Sequence, residues 1–233
     1  MTRKPQQSGF TAGRSTIDAI LALRLLSEIY REFSCPLQVA YLDIKAAFDS
    51  VDRRALWKAL RGRGVPDILL NLIDALHNST GARVRYGKNL FSRFLTTSGV
   101  RQGCILAPAL FYVAIHWIMA HIANKLGISV GNSQFTDLVY ADDTAPLVQS
   151  HVAAATCVSS FSEAASILGL RISWLKTNLQ NVGASTQSST DITVNGKPME
   201  HVESFVYLGS VQFSEDQSVS DIKRSRPTDL ATS

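Results

Sequence analysis

Apolar residues recur at helical spacing in five stretches of the chain. The first stretch, residues 16–33, follows Ser15 and has Asp18 in its first turn, where a carboxylate is stabilised by the helix N-terminus. Its apolar positions are Ile17, Ile20, Leu21, Leu25 and Ile29. This spacing predicts an amphipathic helix. Four more helices are predicted over residues 54–60, 68–76, a segment beginning near Pro108, and 152–168.

Short β-prone runs lie between these helical stretches. Residues 37–42 form one run, which ends at Asp43. Residues 135–140 and 144–148 are separated by Ala141-Asp142-Asp143, which predicts a hairpin with two acids at its tip. Further strands are predicted over residues 192–194 and 205–208, and residues 83–86 and 91–95 predict a hairpin with a basic face around the turn 87–89. The pattern predicts an α+β fold, an antiparallel sheet packed against helices.

The acids at these strand ends are the strongest chemical signal. Two adjacent carboxylates repel each other unless a cation lies between them and their partners. Asp43 would add a third carboxylate, with Asp49 and Asp52 further downstream. Such hard oxygen ligands suit Mg²⁺, and a two-metal site performs in-line phosphoryl displacement in polymerases and nucleases. A solvated Asp-Asp turn is the alternative, since Asp favours turns.

Composition narrows the function only slightly. Lys plus Arg exceed Asp plus Glu by 23 to 19, for a net charge of +4 and a pI near 9.0, which suits a polyanionic partner but also many other proteins. The cations Arg53, Arg54, Lys58, Arg61 and Arg63 suit either a solvated helix face or a phosphate-backbone track. Neither a secretory signal nor a membrane-spanning run is recognisable. We therefore expect an intracellular protein of the nucleus or cytoplasm, neither secreted nor membrane-bound.

Three segments together resemble a known enzyme family. Residues 41–51 (YLDIKAAFDSV), 99–108 (GVRQGCILAP) and 140–143 (YADD) resemble motifs A, B and C of reverse transcriptases, in the same order and with similar spacing. Residues 7–16 (QSGFTAGRST) resemble the segment that precedes motif A in non-LTR (LINE-type) retrotransposons. Residues 169–177 resemble motif D, and residues 207–209 resemble the primer-grip region.

The resemblance implies an RNA-directed DNA polymerase with a palm and partial fingers. Its partners would be an RNA template with a DNA primer, dNTPs, and two Mg²⁺ ions, with Mn²⁺ as the alternative metal. The implied catalytic residues are Asp43, Asp142, Asp143 and Lys176, of which Lys176 would protonate the pyrophosphate leaving group. The three aspartates, with the backbone carbonyl of Ile44, would hold the metal ions.

The resemblance also implies substrate contacts. Phe48 would exclude a ribose 2′-hydroxyl, and Ile44, Gln102 and Gly103 would also contact the nucleotide, while Arg101 and Tyr140 would contact nucleic acid. Gly99 and Gly103 would permit close backbone approach to a nucleotide. From the residues alone, Phe48 also fits a core aromatic and Arg101 fits a solvated loop cation equally well. A surface lysine is the default interpretation of Lys176.

Several features depart from the family pattern. We expect residues 1–214 to form a reverse transcriptase domain truncated at both ends, without the upstream finger cations or most of the thumb, and residues 215–233 to be a polar tail. Pro146 would interrupt the strand after the Asp pair unless the sheet does not need its missing donor. Two alternatives remain: a catalytically decayed or repurposed remnant with residual nucleic-acid binding, and a metal-dependent nuclease.

Overall fold

The computed structural model describes residues 13–78, 80–184 and 192–214. Three sequence features therefore lie outside the described residues. They are residues 7–12 of the segment before motif A, the polar linker 185–190, and the tail after Ser214.

Helices form where the apolar periodicity predicts them. Ser15 donates its backbone N–H to the Asp18 carboxylate at 2.7 Å, which fixes the start of the first helix. One turn, α2, was not predicted because four residues are too few to show a period. Within the described ranges no helix is both long and apolar enough to cross a membrane. The helices are α1 (Thr16–Glu32), α2 (Ala47–Ser50), α3 (Arg53–Gly62), α4 (Asp67–His77), α5 (Ala107–Ile122) and α6 (His151–Ile167).

The strands form one large sheet and several two-stranded ribbons. The central sheet has the strand order β11-β12-β10-β1-β9-β8. Strands β10 and β12 pair in parallel, whereas every other pair of neighbours in this sheet is antiparallel. The α+β prediction is confirmed, with this one parallel pair added. The strands are β1 (Gln38–Tyr41), β2 (Gly81–Ala82), β3 (Arg85–Tyr86), β4 (Asn89–Leu90), β5 (Phe94–Leu95), β6 (Ile128–Val130), β7 (Ser133–Phe135), β8 (Asp137–Tyr140), β9 (Asp143–Val148), β10 (Asn178–Asn181), β11 (Ile192–Val194), β12 (Lys197–His201), β13 (Ser204–Tyr207) and β14 (Ser210–Phe213).

Helices cover both faces of the central sheet. Ala40 of β1 belongs to the core that includes Phe111 of α5 and Phe161 of α6. Its neighbour Val39 belongs to a second core, which includes Leu23 of α1. Because successive strand residues point to opposite faces, β1 is buried on both sides, which explains its unbroken apolar run.

The buried side of α1 differs from the predicted one. Ile17, Leu21 and Leu25 are 69%, 52% and 48% exposed, whereas Leu23 and Leu26 are buried against the sheet. Helix α4 likewise buries Leu70. Its own apolar stripe is exposed at Ile68, Leu69, Leu72 and Leu76. The positions of both helices were thus predicted correctly. The apolar stripes on which the predictions were based, however, lie largely on the outside of the described structure.

The predicted basic hairpin forms with a tighter turn. Arg85 pairs with Leu90 and Tyr86 pairs with Asn89, so the turn is Gly87-Lys88 and Asn89 belongs to a strand. Gly87 has a φ of +59°, a conformation that a two-residue hairpin turn requires and that glycine adopts without strain. Below this turn, β2 pairs with β5.

Pro146 lies inside β9 without ending the strand. Strand β9 is flanked by β8 and β1, and its ladder with β1 runs over Gln38 and Val39 and resumes where Leu42 faces Thr144. Between these points the ladder is interrupted at the level of Pro146, which has no N–H to donate. The predicted interruption is therefore confined to one edge of the strand, while the pairing of Pro146 with Asp137 in β8 is retained.

Candidate active site

The acids of motifs A and C meet across one ladder. The backbone N–H of Leu42 donates to the carbonyl of Thr144 at 2.9 Å. Asp43 follows Leu42 and Asp143 precedes Thr144, so the two carboxylates occupy the next opposing positions. Residues opposed in this way have Cβ atoms about 5 Å apart. The β8–β9 turn, with Ala141 at a φ of +59°, brings Asp142 beside them.

Negative charge is concentrated at this point of the sheet. The pKa of Asp143 is raised above its ordinary value, first because the surrounding chain removes part of the hydration of the carboxyl group and then because Asp142 and Asp43 repel its charge. A carboxylate whose ionised form is disfavoured by its neighbours gains from a nearby cation. The three aspartates therefore concentrate negative charge at one place, which a divalent cation bound beside them would offset.

The motif D segment brings a cation to the same place. The backbone carbonyl of Asp43 accepts a hydrogen bond from the backbone N–H of Ser173 at 2.8 Å, and the N–H of Lys176 donates to the Ser173 carbonyl at 3.0 Å. This turn places Nζ of Lys176 3.9 Å from Oδ1 of Asp43. The lysine side chain is 71% exposed, so the ion pair is loose and the ammonium can move.

A cavity of about 400 Å³ opens beside these charges. Its polar side includes Asp43, Asp143 and Lys176. Its aromatic side includes Phe205 and Tyr207, from the predicted primer-grip region and the residues just before it. The cavity thus joins segments from motifs A, C and D and from β13.

The aromatic wall was not predicted from the sequence. Tyr41 and Phe205 stack with ring centroids 4.0 Å apart, and the Tyr41 hydroxyl donates to Oε1 of Gln180 at 2.8 Å. Complete burial raises the pKa of Tyr41 well above its ordinary value, so this hydroxyl stays protonated. In the sequence, the only signal is that aromatics alternate at Phe205 and Tyr207, which is also the pattern of an ordinary strand.

Motif B packs onto motif A rather than onto the cavity. Phe48 is half-buried and stacks on Phe111 with centroids 4.6 Å apart, and its carbonyl accepts from the N–H of Val100 at 2.8 Å. Nε2 of Gln102 donates to the Asp49 carboxylate at 3.2 Å. Phe48 and Gln102 are not among the described residues that line the 400 Å³ cavity. Any contact that they make with a nucleotide would therefore lie on a neighbouring surface.

The remaining predicted contacts are spread around this centre. Arg101 and Gly103 are exposed in the motif B loop, and Gly103 has a φ of +81° with open space where a Cβ would lie. Tyr140 is half-buried and pairs with Asp143 in the hairpin. Ile44 is buried and faces Ile172 across an isolated bridge. Their contacts with nucleotide or nucleic acid stay predictions.

Gly99 packs closely against motif A, a contact that the sequence did not predict. A Cβ on Gly99 would lie 2.6–2.8 Å from the backbone atoms of Asp49, and its φ is +78°. Its N–H donates to the carbonyl of Val51 at 2.8 Å. The close approach that requires glycine here is therefore to the chain's own motif A, since the backbone atoms that a Cβ would meet belong to Asp49.

Two other acids near motif A have structural partners. Asp52 caps α3 by accepting from the N–H of Ala55 at 2.8 Å. Asp49 accepts from Gln102. Within the described ranges, no three His, Cys, Asp or Glu side chains are arranged to hold a metal ion. Metal binding by Asp43, Asp142 and Asp143 therefore stays a prediction, and their side chains would have to converge.

Arg53 also differs from its expected role. Its guanidinium donates to the carbonyls of Gly99, His77, Thr96 and Ser98 at 2.8–3.0 Å. Burial lowers its pKa from the ordinary value, while Asp74 opposes this effect. Arg53 thus ties α3 to the segment that leads into motif B and is not a solvated cation.

Comparisons with known proteins agree with these features. The family model described as Reverse transcriptase (RNA-dependent DNA polymerase) matches residues 1–211. The Pol polyprotein of the type-2 retrotransposable element R2DM from Drosophila melanogaster is 25% identical over 170 residues, or 72% of this chain and 16% of that protein. The Pol polyprotein of the type-1 element R2 from Nasonia vitripennis is 32% identical over 114 residues, or 49% of this chain and 11% of that protein.

A solved structure shares the fold. Telomerase from Candida tropicalis, determined with a fragment of telomeric RNA, superposes with a TM-score of 0.53 at 15% identity and covers 91% of this chain and 34% of that one. The chain spans about a sixth or less of the length of the first two relatives. The family model nevertheless covers nearly all of the described residues, and the acids of motifs A and C meet in one site. The chain belongs to the reverse transcriptase family.

Proposed function

We propose that this chain carries the polymerising centre of a retrotransposon RNA-directed DNA polymerase. It would transfer a nucleotidyl group from a dNTP to a primer 3′-hydroxyl on an RNA template. The single observation that carries the proposal is that the bridge between Leu42 and Thr144 places Asp43 opposite Asp143, next to Lys176 and a cavity of about 400 Å³.

The anionic cluster suits the metal chemistry of such a centre. Divalent metal ions are general in the reverse transcriptase family, and two Mg²⁺ ions, or Mn²⁺ in their place, are the proposed cofactors here. When bound, the ions would activate the primer hydroxyl and stabilise the leaving oxygen. Asp43, Asp142 and Asp143 would hold them, and the Ile44 carbonyl would supply a further oxygen.

The chain's own residues would do the remaining work. Nζ of Lys176 lies 3.9 Å from Oδ1 of Asp43, and the exposed lysine side chain can turn toward a departing pyrophosphate and protonate it. Phe48, stacked on Phe111, is a rigid aromatic that would exclude a ribose 2′-hydroxyl. Gln102, Gly103 and Arg101 form the exposed motif B loop that would meet the nucleotide and template.

Primer extension tests this proposal directly. The purified chain should extend a DNA primer on an RNA template with Mg²⁺ and dNTPs, and Asp142→Asn should abolish extension. Asp67→Asn is a matched control, because Asp67 is exposed and forms a surface ion pair with Arg61 at 3.0 Å. The proposal is wrong if the folded wild-type chain does not extend the primer, or if Asp142→Asn extends it as well as Asp67→Asn does.

A nucleic-acid binding assay of wild type and Asp142→Asn, with and without Mg²⁺, distinguishes the decayed remnant. A remnant would bind nucleic acid, if at all, without dependence on Mg²⁺ and equally in wild type and Asp142→Asn.

The substrates of the proposed reaction, RNA and dNTPs, are intracellular, so the proposal includes a location in the nucleus or cytoplasm.

A further inference from the structure

The hairpin formed by residues 81–95 lies in a stretch of chain that carries no acidic residue. Between Asp74 and Asp137 the sequence contains no Asp or Glu. The cations in this stretch are Arg83, Arg85, Lys88, Arg93, Arg101 and Lys125, and four of the six belong to the hairpin. The hairpin is therefore strongly cationic and has no acid in its own stretch of sequence, which favours a polyanionic partner.

Exposed aromatic side chains share this hairpin with the cations. Tyr86 is 79% exposed and Phe91 is 57% exposed. The N–H of Phe91 donates to the carbonyl of Val84 at 2.9 Å, and Tyr86 pairs with Asn89, so Tyr86 and Phe91 lie on the same face. Arg85 points to the opposite face of this narrow ribbon, where it pairs with Leu90.

A groove continues from the base of the hairpin. It has a volume of about 590 Å³ and begins at Leu95, the last residue of the hairpin, and at Thr96 and Thr97, which follow it. Trp57 and Arg54 of α3 line it further along. One acid, Asp74, also lines it, but Asp74 accepts hydrogen bonds from Nε1 of Trp57 at 2.9 Å and from Asn78 at 3.0 Å.

The groove cations differ in how firmly they are held. Arg53 is committed to backbone carbonyls. Arg61 pairs with Asp67, but both side chains are well exposed, at 61% and 73%, and such pairs are weak and readily exchanged for a phosphate. Arg54 is exposed at the groove wall. Arg54 and Arg61 thus extend the positive charge of the hairpin along α3.

We propose that the hairpin and this groove form one binding surface for single-stranded RNA. Bases stack on Tyr86 and Phe91, and phosphates are neutralised by Arg83, Arg85 and Lys88 and, in the groove, by Arg54. Cations interleaved with exposed aromatics bind single strands with little sequence preference, because every base has a flat face. The identity of the strand as template rests on the proposed function, whereas the binding does not require catalysis.

Binding of a fluorescent single-stranded oligouridylate, measured without Mg²⁺ or dNTPs, tests the surface. The double variant Arg83→Gln/Arg85→Gln should lower the slope of log affinity against log salt by about 1.4, since each phosphate contact to a single strand contributes about 0.7. At 0.1 M salt this is a loss of about 25-fold. Tyr86→Ser should weaken binding by about 5- to 150-fold with the salt slope unchanged, because a stacked base is lost.

The control removes the same charge elsewhere. Arg14→Gln/Lys197→Gln changes two exposed cations outside the hairpin, α3 and α4, and should leave affinity within about twofold. Equal effects of the two double variants, or no effect of Tyr86→Ser, would overturn the proposal. The exposed aromatic side chains would then be assigned to contacts with a protein partner. Because the assay involves no chemistry, failed primer extension with intact hairpin-dependent binding would reject the proposed function alone.

Discussion

Substituting Gly99 tests how closely motif B packs on motif A. Gly99→Ala places a methyl group 2.6 Å from the Asp49 carbonyl oxygen and 2.7 Å from its Cα, and neither atom can move as a flexible side chain would. The glycine cannot easily retreat, because its N–H is bonded to Val51 and its carbonyl accepts from Arg53 at 2.8 Å. One of the two segments must therefore shift.

Gly64 supplies a control with the same backbone conformation. Both glycines have a φ of +78°, but a Cβ on Gly64 meets nothing within 4 Å. The left-handed conformation costs an alanine roughly 1–2 kcal/mol at either position, and the gain from a stiffer unfolded chain also applies to both. The difference between the variants isolates the steric cost, which for overpacking is about 1–3 kcal/mol.

Urea unfolding of the two variants and wild type measures this difference. Gly99→Ala should be less stable than Gly64→Ala by about 1–3 kcal/mol, equivalent to a melting temperature lower by roughly 2–12 °C in a chain of this size. Primer extension should fall with it, because Val100 and Phe48 move with the displaced segment. Equal stabilities of the two variants would refute the packing argument.

Two further predictions concern charged groups. In chelator-containing buffer, Asp143→Asn should be more stable than wild type at neutral pH. The pKa of Asp143 is raised in the folded chain, so ionisation opposes folding as pH rises. The advantage should vanish below about pH 4, where the wild-type carboxyl is protonated in both states, and pH-independent stabilities would contradict it. Arg53→Lys should cost about 2 kcal/mol or more in urea unfolding, since an ammonium cannot reach the four carbonyls that the guanidinium serves. Arg54→Lys, on the exposed side of α3, should cost almost nothing; equal losses would show that the carbonyl contacts are unimportant.

The motifs in the sequence predict which charged residues lie close together at this site. Asp43 and Asp143 follow and precede β-prone runs, so their meeting across a ladder follows from the strand pattern together with the motif order. Lys176 is expected near them through its motif, and a turn between Ser173 and Thr177 puts it there. Alternation and periodicity are local signals, and here they agree with the fold.

The errors arise where local pattern does not determine partners. Helix α1 is apolar on more than one side, so its period could not decide between Leu21 and Leu23 as the buried position. Strand β10 has the sequence Asn-Leu-Gln-Asn, and Gln180 is buried because it bonds Tyr41, a partner 139 positions away. The binding of Arg53 to carbonyls is likewise invisible in a sequence, where a cation suggests solvent.

The pairing of β1 with β9 has a consequence for how the site comes into being. In the sheet, Val39 of β1 pairs with Leu147 of β9, and Gln38 of β1 pairs with Asn181 of β10. The ladders next to the acids therefore join positions more than a hundred residues apart in the sequence. Contacts of such long range form slowly, because closing so long a loop costs chain entropy before the contact stabilises the fold. The acids of motifs A and C therefore gain their arrangement together with the central sheet, and neither motif can acquire it as a separate peptide.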